Sequence, residues 1–257
     1  MAVTVLSGTS GALYYKPAGT VGTFGESDVN ATSETITVET YLNFKVGDPV
    51  KFSIVNSQTG AAGSGTLPAP LSAATTYYVI SYTASSGALQ VSATAGGAAI
   101  NITDDGTIVA PNRFQVAYAD YAVVGQVRSW SFEVSRSEID VTTIGQTPGQ
   151  YAPFKTYISG FADGNGSCEV YMTDEDGAMS NRMIEDVLQR QQVGAAFKLY
   201  TDRVMSGGSV SESLSRSISM DAVLTSASLR LNPDDAQSVA INFRPAGSVS
   251  FDFSESA

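Results

Sequence analysis

The feature that most constrains the fold of this chain is an alternation of apolar and polar residues along segments of its second half. Trp130, Phe132 and Val134 share one parity, and polar residues lie between them. The same period of two recurs in residues 168–172 and 218–224. Because successive side chains of a β-strand point to opposite faces of the sheet, these segments are predicted to be strands with one buried and one solvated face.

Two breaks in the alternation predict local irregularities of the strands. After residue 224 the apolar residues change parity, which predicts a β-bulge near Thr225. Residues 244–247, Arg-Pro-Ala-Gly, separate two alternating runs. Proline and glycine are common turn residues, so this segment predicts the turn of a terminal hairpin.

One segment has helical spacing instead. Its apolar residues recur three or four positions apart, and they are Met179, Met183, Ile184, Val187 and Leu188. Gly194 follows as a natural stop. We therefore predict one α-helix near residues 180–193, with its apolar stripe against a sheet and with Asp186 and Arg190 on its solvent side. The predicted fold class is all-β with this single helix.

Length and composition bound the number of domains. The chain has 257 residues, 43% of them hydrophobic, which suffices for one large core or two modest ones. Residues 1–27 are weakly patterned and predict an arm or a short strand. Between residues 33 and 110, short β-type runs alternate with Gly, Ala, Ser and Pro, and they cover residues 35–38, 49–55, 76–82, 88–92 and 99–103. These runs predict a small β-module, and a larger domain begins after residue 111.

Charge and residue inventory exclude several classes of function. The formal net charge is −11 and the pI about 4.3, which argues against binding of a phosphate backbone. The chain contains no His, so imidazole bases and His-ligated metals are excluded. Its single Cys168 lies within an alternating run and is predicted to be a core residue. We expect no enzymatic activity and no cofactor.

An acidic segment gives a weak calcium-loop spacing. Asp163, Asn165 and Asp174 occupy the first, third and twelfth positions of such a loop, but Cys168 stands where the loop needs glycine. Residues 163–166, Asp-Gly-Asn-Gly, are more typical of a β-turn. The prediction is therefore no metal site, with these three residues as the weak candidate ligands.

Neither a secretion signal nor a membrane span is recognisable in the sequence. Residues 1–7 lack a basic start and a long apolar stretch, and no window approaches about 20 apolar residues. We expect the chain to fold in the cytoplasm of the cell that makes it.

The sequence from Trp130 to Gly145, Trp-Ser-Phe-Glu-Val-Ser-Arg-Ser-Glu-Ile-Asp-Val-Thr-Thr-Ile-Gly, resembles the tail tube (major tail) proteins of long-tailed bacteriophages. Those proteins carry a Trp-containing strand followed by an Ile-Asp-x-Thr-type segment and a long loop. The order of the later segments is similar as well: a loop at 146–157, a hairpin through 163–166, a helix over 183–192, a strand at 196–200 and late strands ending at 243–247. The resemblance covers about residues 112–253.

This resemblance implies both a fold and a role. The fold would be a β-sandwich or barrel of the tail-tube type formed by residues 1–28 and 116–257, with residues 29–115 as an inserted β-module. The implied role is a virion protein that forms hexameric rings, which stack into the tail tube and conduct the genome. Implied partners are further copies of the chain and the tail terminator, tape-measure and baseplate or tip proteins. DNA would pass without specific binding, and no membrane is involved.

One long segment is predicted to contact neighbouring subunits or rings. Glycines and prolines between residues 138 and 157 prevent regular structure, yet the segment is too apolar for a solvated loop of this length. The residues predicted to lie in an interface are Ile139, Val141, Ile144, Tyr151 and Phe154. The inserted β-module is expected to project from the outer wall as a separable unit.

Two other classes of function stay open on the sequence alone. A carbohydrate-binding or adhesive β-protein of a virion or cell surface would use clustered aromatics such as Tyr77, Tyr78 and Tyr82. A hydrolase would place paired carboxylates such as Asp174 and Asp176 in a concave pocket. The assembly state distinguishes the first alternative, because a binding module does not polymerise.

Overall fold

The computed structural model describes residues 10–125, 127–142, 155–172, 174, 179–230 and 236–253, and within these it contains one α-helix and eighteen strands. The helix is α1 (Met179–Asp186). The strands are β1 (Ala12–Lys16), β2 (Val21–Phe24), β3 (Val29–Asn30), β4 (Thr35–Thr37), β5 (Pro49–Asn56), β6 (Gly65–Thr66), β7 (Tyr77–Thr83), β8 (Ala88–Ser92), β9 (Thr107–Ile108), β10 (Asn112–Tyr118), β11 (Ala122–Val123), β12 (Val127–Asp140), β13 (Tyr157–Tyr171), β14 (Ala196–Asp202), β15 (Met205–Ser206), β16 (Ser209–Val210), β17 (Arg216–Arg230) and β18 (Ser238–Asp252). The predicted fold class, all-β with one helix, is confirmed.

The first sheet contains the long alternating strands. Its order is β11-β1-β14-β17-β18-β13-β12, and all its pairings are antiparallel. The buried face carries Cys168, Val170, Ile218 and Met220, on the parity that the sequence predicted. Since β1 lies between β11 and β14, residues 12–16 of the predicted arm form an internal strand of this sheet.

The bulge predicted near Thr225 is confirmed. Leu224 pairs with Phe243, whereas Ser226 pairs with Asn242. Thr225 is therefore the extra residue on β17, and it shifts the apolar parity of the residues that follow.

The predicted terminal hairpin is wrong, because β18 continues as one strand through residues 244–247. Ala222 pairs with Pro245 and Met220 pairs with Val249, so residues 246–248 form a second bulge opposite β17. Proline has no backbone N–H to donate, and a bulge accommodates it without ending the strand.

The β-turn and hairpin predicted at residues 163–166 are also wrong. These residues lie in the middle of β13 and pair with β12. A Cβ atom placed on Gly164 would lie 2.8 Å from Cγ of Pro245, and one on Gly166 would overlap the ring of Phe243. Glycine serves close packing between β13 and β18 here, and no turn is formed.

The second sheet has the order β2-β10-β5-β7-β8-β4-β3. Four of the short predicted runs are its strands β4, β5, β7 and β8, but residues 99–103 are not a strand and contribute the buried Ile102 from an irregular segment. Strands β2 and β10 pair with each other, so the sheet runs from Val21 to Tyr118. It therefore extends beyond both predicted limits of the β-module, residues 29 and 115.

Helix α1 is shorter than predicted, since it ends at Asp186 and not near residue 193. Beyond it, the N–H groups of Leu188 and Gln189 donate to carbonyls three residues back, at 3.0 and 3.1 Å, which tightens the chain into turns. Met183 is fully buried, but Leu188 is 88% exposed. No helix among the described residues is long and apolar enough to cross a bilayer.

Each sheet has its own hydrophobic core. In the first, the rings of Phe197 and Phe243 stack with centroids 4.2 Å apart, and Met183 of α1 belongs to the same cluster. In the second, Phe24, Phe52 and Phe114 lie together. The two cores are therefore distinct, and α1 contributes to the first.

Candidate assembly surface

The hairpin of β12 and β13 extends beyond the rest of the first sheet. The two strands pair from Val127 opposite Val170 to Asp140 opposite Tyr157. Strand β13 pairs with β18 only between Gly166 and Tyr171. The outer part of the hairpin, residues 133–142 and 155–165, is therefore a two-stranded ribbon, which we call the ribbon.

The ribbon carries exposed apolar side chains. Ile139 lies opposite Ile158, and both are about half exposed. Val141 is 38% exposed, and Phe161 is 93% exposed. We call these four residues the ribbon patch. Exposed apolar residues in a contiguous group mark interaction sites more often than singly scattered ones do.

A bulge in β13 holds Phe161 in this position. Arg136 pairs with Ala162 and Glu138 with Ser159, so Gly160 and Phe161 together oppose Ser137. The Ser137 hydroxyl donates to the Phe161 carbonyl at 3.3 Å. A Cβ atom on Gly160 would collide with that hydroxyl, so a larger residue here would require the Ser137 side chain to rotate away from the Phe161 carbonyl.

Hydrogen bonds fix the ribbon at the outer end of its described part. The Asp140 carboxylate accepts from the Thr142 backbone N–H at 2.9 Å and pairs with Lys155 at 3.1 Å. Hydrogen bonds from Thr142, followed by that from Lys155, lower the pKa of Asp140 from its ordinary value. The Thr156 N–H donates to the Thr142 hydroxyl at 2.9 Å. These contacts tie residues 140 and 142 to residues 155 and 156.

Two of the five residues that the sequence predicted for an interface lie in the described part of the ribbon. Ile139 and Val141 were predicted interface residues and are exposed on the ribbon, whereas Ile144, Tyr151 and Phe154 lie outside the described residues. The predicted loop at 138–157 is shorter than expected, because Glu138–Asp140 and Tyr157 belong to strands. Ile158 and Phe161 were missed. The apolar character of these two residues was visible in the sequence, but the bulge that exposes Phe161 was not.

The weak metal candidates are not brought together. Asp163 and Asn165 lie within β13, and Asp174 follows its end. At about 3.3 Å per residue, the strand alone separates Asp163 from Tyr171 by roughly 26 Å. The Asp163 carboxylate accepts from the Gly164 N–H at 2.8 Å and lies 3.9 Å from Arg244. No group of three potential ligands occurs within the described ranges.

Two of the three tyrosines considered for sugar binding, Tyr77 and Tyr82, have structural roles. Tyr77 is buried, and its hydroxyl accepts from the Ser72 N–H at 2.9 Å. The Tyr82 hydroxyl accepts from the Leu42 N–H and donates to the Glu39 carbonyl. Burial raises the pKa of Tyr82. The rings of Tyr77 and Tyr82 therefore pack in the core of the second sheet and do not form an exposed aromatic platform. Of the paired carboxylates considered for a hydrolase, Asp176 lies outside the described residues.

Cys168 is a core residue, as predicted, and this gives a testable consequence. Burial raises the pKa of its thiol to about 12, so the thiolate that reacts with alkylating reagents is scarce at pH 8. We expect native protein to resist maleimide labelling at pH 8 and to become labelled once it is unfolded in denaturant. Mass spectrometry of the reaction measures this. Native labelling at the rate of a free thiol would contradict the buried position.

Comparison with known proteins gives structural neighbours alone. Neither a protein-family model nor a curated protein matches the sequence. A chain in the virion of a native gene transfer agent particle is similar to 51% of this chain and 88% of its own, with 14% identity and a TM-score of 0.38. A chain in the tail of an empty gene transfer agent particle with C6 symmetry is similar to 52% of this chain and 87% of its own, with 14% identity and a TM-score of 0.36. The structural neighbours are thus chains of phage-like virion and tail particles.

Proposed function

We propose that this chain is a structural, non-enzymatic subunit of a phage-like tail tube, in which hexameric rings stack around a channel for the genome. The observation that carries the proposal is the ribbon with its exposed patch. A free monomer would leave Ile139, Ile158 and Phe161 in water. Contact with a second copy would bury them, and burial of apolar surface contributes about 25 cal/mol per Å².

The edge of the first sheet supports assembly by repeated contact. Strand β12 is 14 residues long and pairs within the described residues on one side alone. Long unpaired edges favour pairing with another chain. A head-to-tail contact between identical subunits makes a ring where its rotation closes, and β12 offers such a contact on one side of each subunit.

The space around a channel for duplex DNA and the net charge of the chain bear on the arrangement of the proposed tube. A channel wide enough for duplex DNA leaves no room for a further domain from every subunit, so the inserted β-module would lie on the outer wall. The net charge of −11 disfavours phosphate contacts that would stall the genome. Under this proposal the protein resides in the virion tail. Its partners are the tail terminator, tape-measure and baseplate or tip proteins, and no membrane takes part.

The proposal is tested by the assembly state of purified protein. We expect rings or tubes with six-fold symmetry in electron micrographs at high protein concentration, and large species by light scattering. Phe161→Asp places a charge in the ribbon patch and should abolish assembly while the monomer stays folded. Leu188→Asp is the matched control, because Leu188 is 88% exposed but lies far from the ribbon in sequence, beyond α1.

Monomers alone for the unmodified protein at every concentration would overturn the proposed function. If both variants formed rings equally well, the proposed tube would stand, but the ribbon patch would not belong to its interfaces. Loss of assembly in both variants would show a general effect of surface charge, so the patch would lose its assigned role.

A further inference from the structure

Helix α1 and the turns after it bond to a loop of the second sheet, residues 41–48. One guanidinium nitrogen of Arg182 donates to the Asp48 carboxylate at 2.8 Å and to the Asn43 carbonyl at 2.6 Å. The Asn43 amide donates to the Asp186 carboxylate at 2.5 Å. Further along, the Gln189 amide donates to the Tyr41 carbonyl at 3.0 Å.

The same helix and the turns after it also bond to the first sheet. The other oxygen of the Asp186 carboxylate accepts from the Tyr15 hydroxyl at 2.7 Å and from the Ala18 N–H at 2.9 Å. Gln192 accepts from the Leu224 N–H at 2.7 Å and donates to the Leu224 carbonyl at 3.1 Å. One side chain, Asp186, therefore holds groups from β1, from the segment after β1 and from the loop of the second sheet.

These polar groups are withdrawn from water. Asp186 is 0% exposed, and Arg182 and Asp48 are less than one-tenth exposed. Burial raises the pKa of Asp186, and the hydrogen bonds from Tyr15, Ala18 and Asn43 act in the opposite direction. A buried donor or acceptor that loses its partner costs about 1–3 kcal/mol. Separation of the two sheets would leave several such groups without partners at the same time.

We infer that α1 locks the two sheets into one cooperative folding unit, so that the second sheet is an integral part of the subunit. Removal of residues 41–48 would take away the Asp48 and Asn43 acceptors of Arg182 and one of the three donors to Asp186. The inference differs from the expectation of a separable β-module, which rested on the small polar residues 27–33 at one flank and on Ala110-Pro111-Asn112 as a boundary linker at the other. Those flanks are visible in the sequence, and the contacts of α1 are not.

If the chain forms rings as proposed, the inference gives the β-module a fixed orientation in the assembly. This consequence rests on the proposed function. A module on a flexible tether would sample many orientations around the tube. A module fixed by buried bonds has one orientation in every subunit, so six modules in a ring would form a regular outer array. Contacts that such an array makes with a surface or with neighbouring subunits would repeat once per subunit around the ring.

The test uses the full chain and two probes that report on different sheets. Trp130 is the single tryptophan and packs against the core of the first sheet, so its fluorescence reports on that sheet. Amide hydrogen exchange in β5 and β10 reports on the second sheet. We expect the same denaturant midpoint from both probes. Loss of protection in β5 and β10 while Trp130 fluorescence stays native would overturn the inference.

A variant of the shared side chain sharpens this test. Asp186→Ala removes the carboxylate that Tyr15, Ala18 and Asn43 share. The Tyr15 hydroxyl loses its acceptor, while the Ala18 N–H and the Asn43 amide keep only their 3.1 Å bonds to the Tyr15 hydroxyl and the Ala18 carbonyl. We expect exchange to accelerate by about 10- to 100-fold in both sheets. Lys45→Met is the matched control, since it breaks the ion pair of Lys45 with Glu185 across the same interface, where the two side chains are 43% and 65% exposed. That control should change exchange by less than about fivefold.

Acceleration confined to one sheet in Asp186→Ala would also overturn the inference. If this variant fails to fold, Asp186→Asn keeps part of the acceptor capacity and provides the same comparison. All measurements are made on dilute monomer, so they do not depend on ring formation. A protein that forms no rings but shows coincident transitions would refute the proposed function and leave the locking role of α1 intact.

Discussion

Replacing Arg182 with methionine is expected to lower the free energy of unfolding by about 3–5 kcal/mol. Arg182 and Asp48 form an ion pair in which both side chains are 7% exposed. Methionine keeps most of the apolar stem but leaves the Asp48 carboxylate buried without its cationic partner. Denaturant unfolding followed by Trp130 fluorescence measures the difference.

Two further variants separate this effect from a general loss of charge. Lys51→Met removes the pair between Lys51 and Asp120, in which both side chains are more than one-third exposed, and should cost about 0–1 kcal/mol. Asp48→Asn introduced together with Arg182→Met removes the uncompensated charge and should recover part of the loss. The interpretation would be wrong if Arg182→Met cost no more than Lys51→Met, or if the double variant were less stable than Arg182→Met.

The sequence predicted those parts of the fold that depend on local periodicity. The alternation at Cys168 and Val170 identified both the strand and its buried face, because a period of two has the same meaning in any sheet. The bulge at Thr225 followed from the same reasoning, since one extra residue reverses the parity of all residues after it. No knowledge of partner strands was needed in either case.

Asp186 shows why other predictions failed. Its spacing from Arg190 suggested a solvated pair on a helix, yet it is buried and bonded to Tyr15 and Asn43. These partners lie 171 and 143 residues away in the sequence. No local pattern contains information about contacts at that range, so tertiary structure determined the environment of this residue.

The ribbon patch also combines residues that a local pattern indicates with one whose exposure depends on a neighbouring strand. Ile139 and Val141 were predicted to lie in an interface because apolar residues beside glycines and prolines require a cover. The prediction treated the whole segment as a loop, whereas β12 and β13 continue to Asp140 and Tyr157. Phe161 was missed because its exposure depends on the bulge opposite Ser137, which is a property of two strands together.

Glycines in residues 163–166 were interpreted as turn residues, although glycine also occurs where another chain segment comes too close for a side chain. Gly166 is such a case. It pairs with Phe243, whose ring is fully buried and stacks on Phe197 at 4.2 Å. A Cβ atom at this position would overlap that ring. The local sequence does not distinguish a turn glycine from a glycine at a close approach. The distinction depends on how β13 pairs with β18.

Gly166→Ala is therefore expected to destabilise the protein by about 1–3 kcal/mol, because the Phe243 ring must leave its stacked position to make room for the methyl group. Gly247→Ala in β18 is the matched control. Nothing lies within 4 Å of a Cβ atom there, so that change should be neutral or stabilise by about 0.4–1 kcal/mol. Chemical denaturation of both variants measures the difference.

A double-mutant cycle identifies the ring as the cause. Phe243→Leu alone should be destabilising, since it removes the stacked pair with Phe197. In that background Gly166→Ala should cost less than in the unmodified protein, because the smaller side chain leaves space for the methyl group. Equal costs of Gly166→Ala in the two backgrounds would show that the Phe243 ring does not limit the size of residue 166, and the close approach of β13 and β18 would no longer explain why glycine stands there.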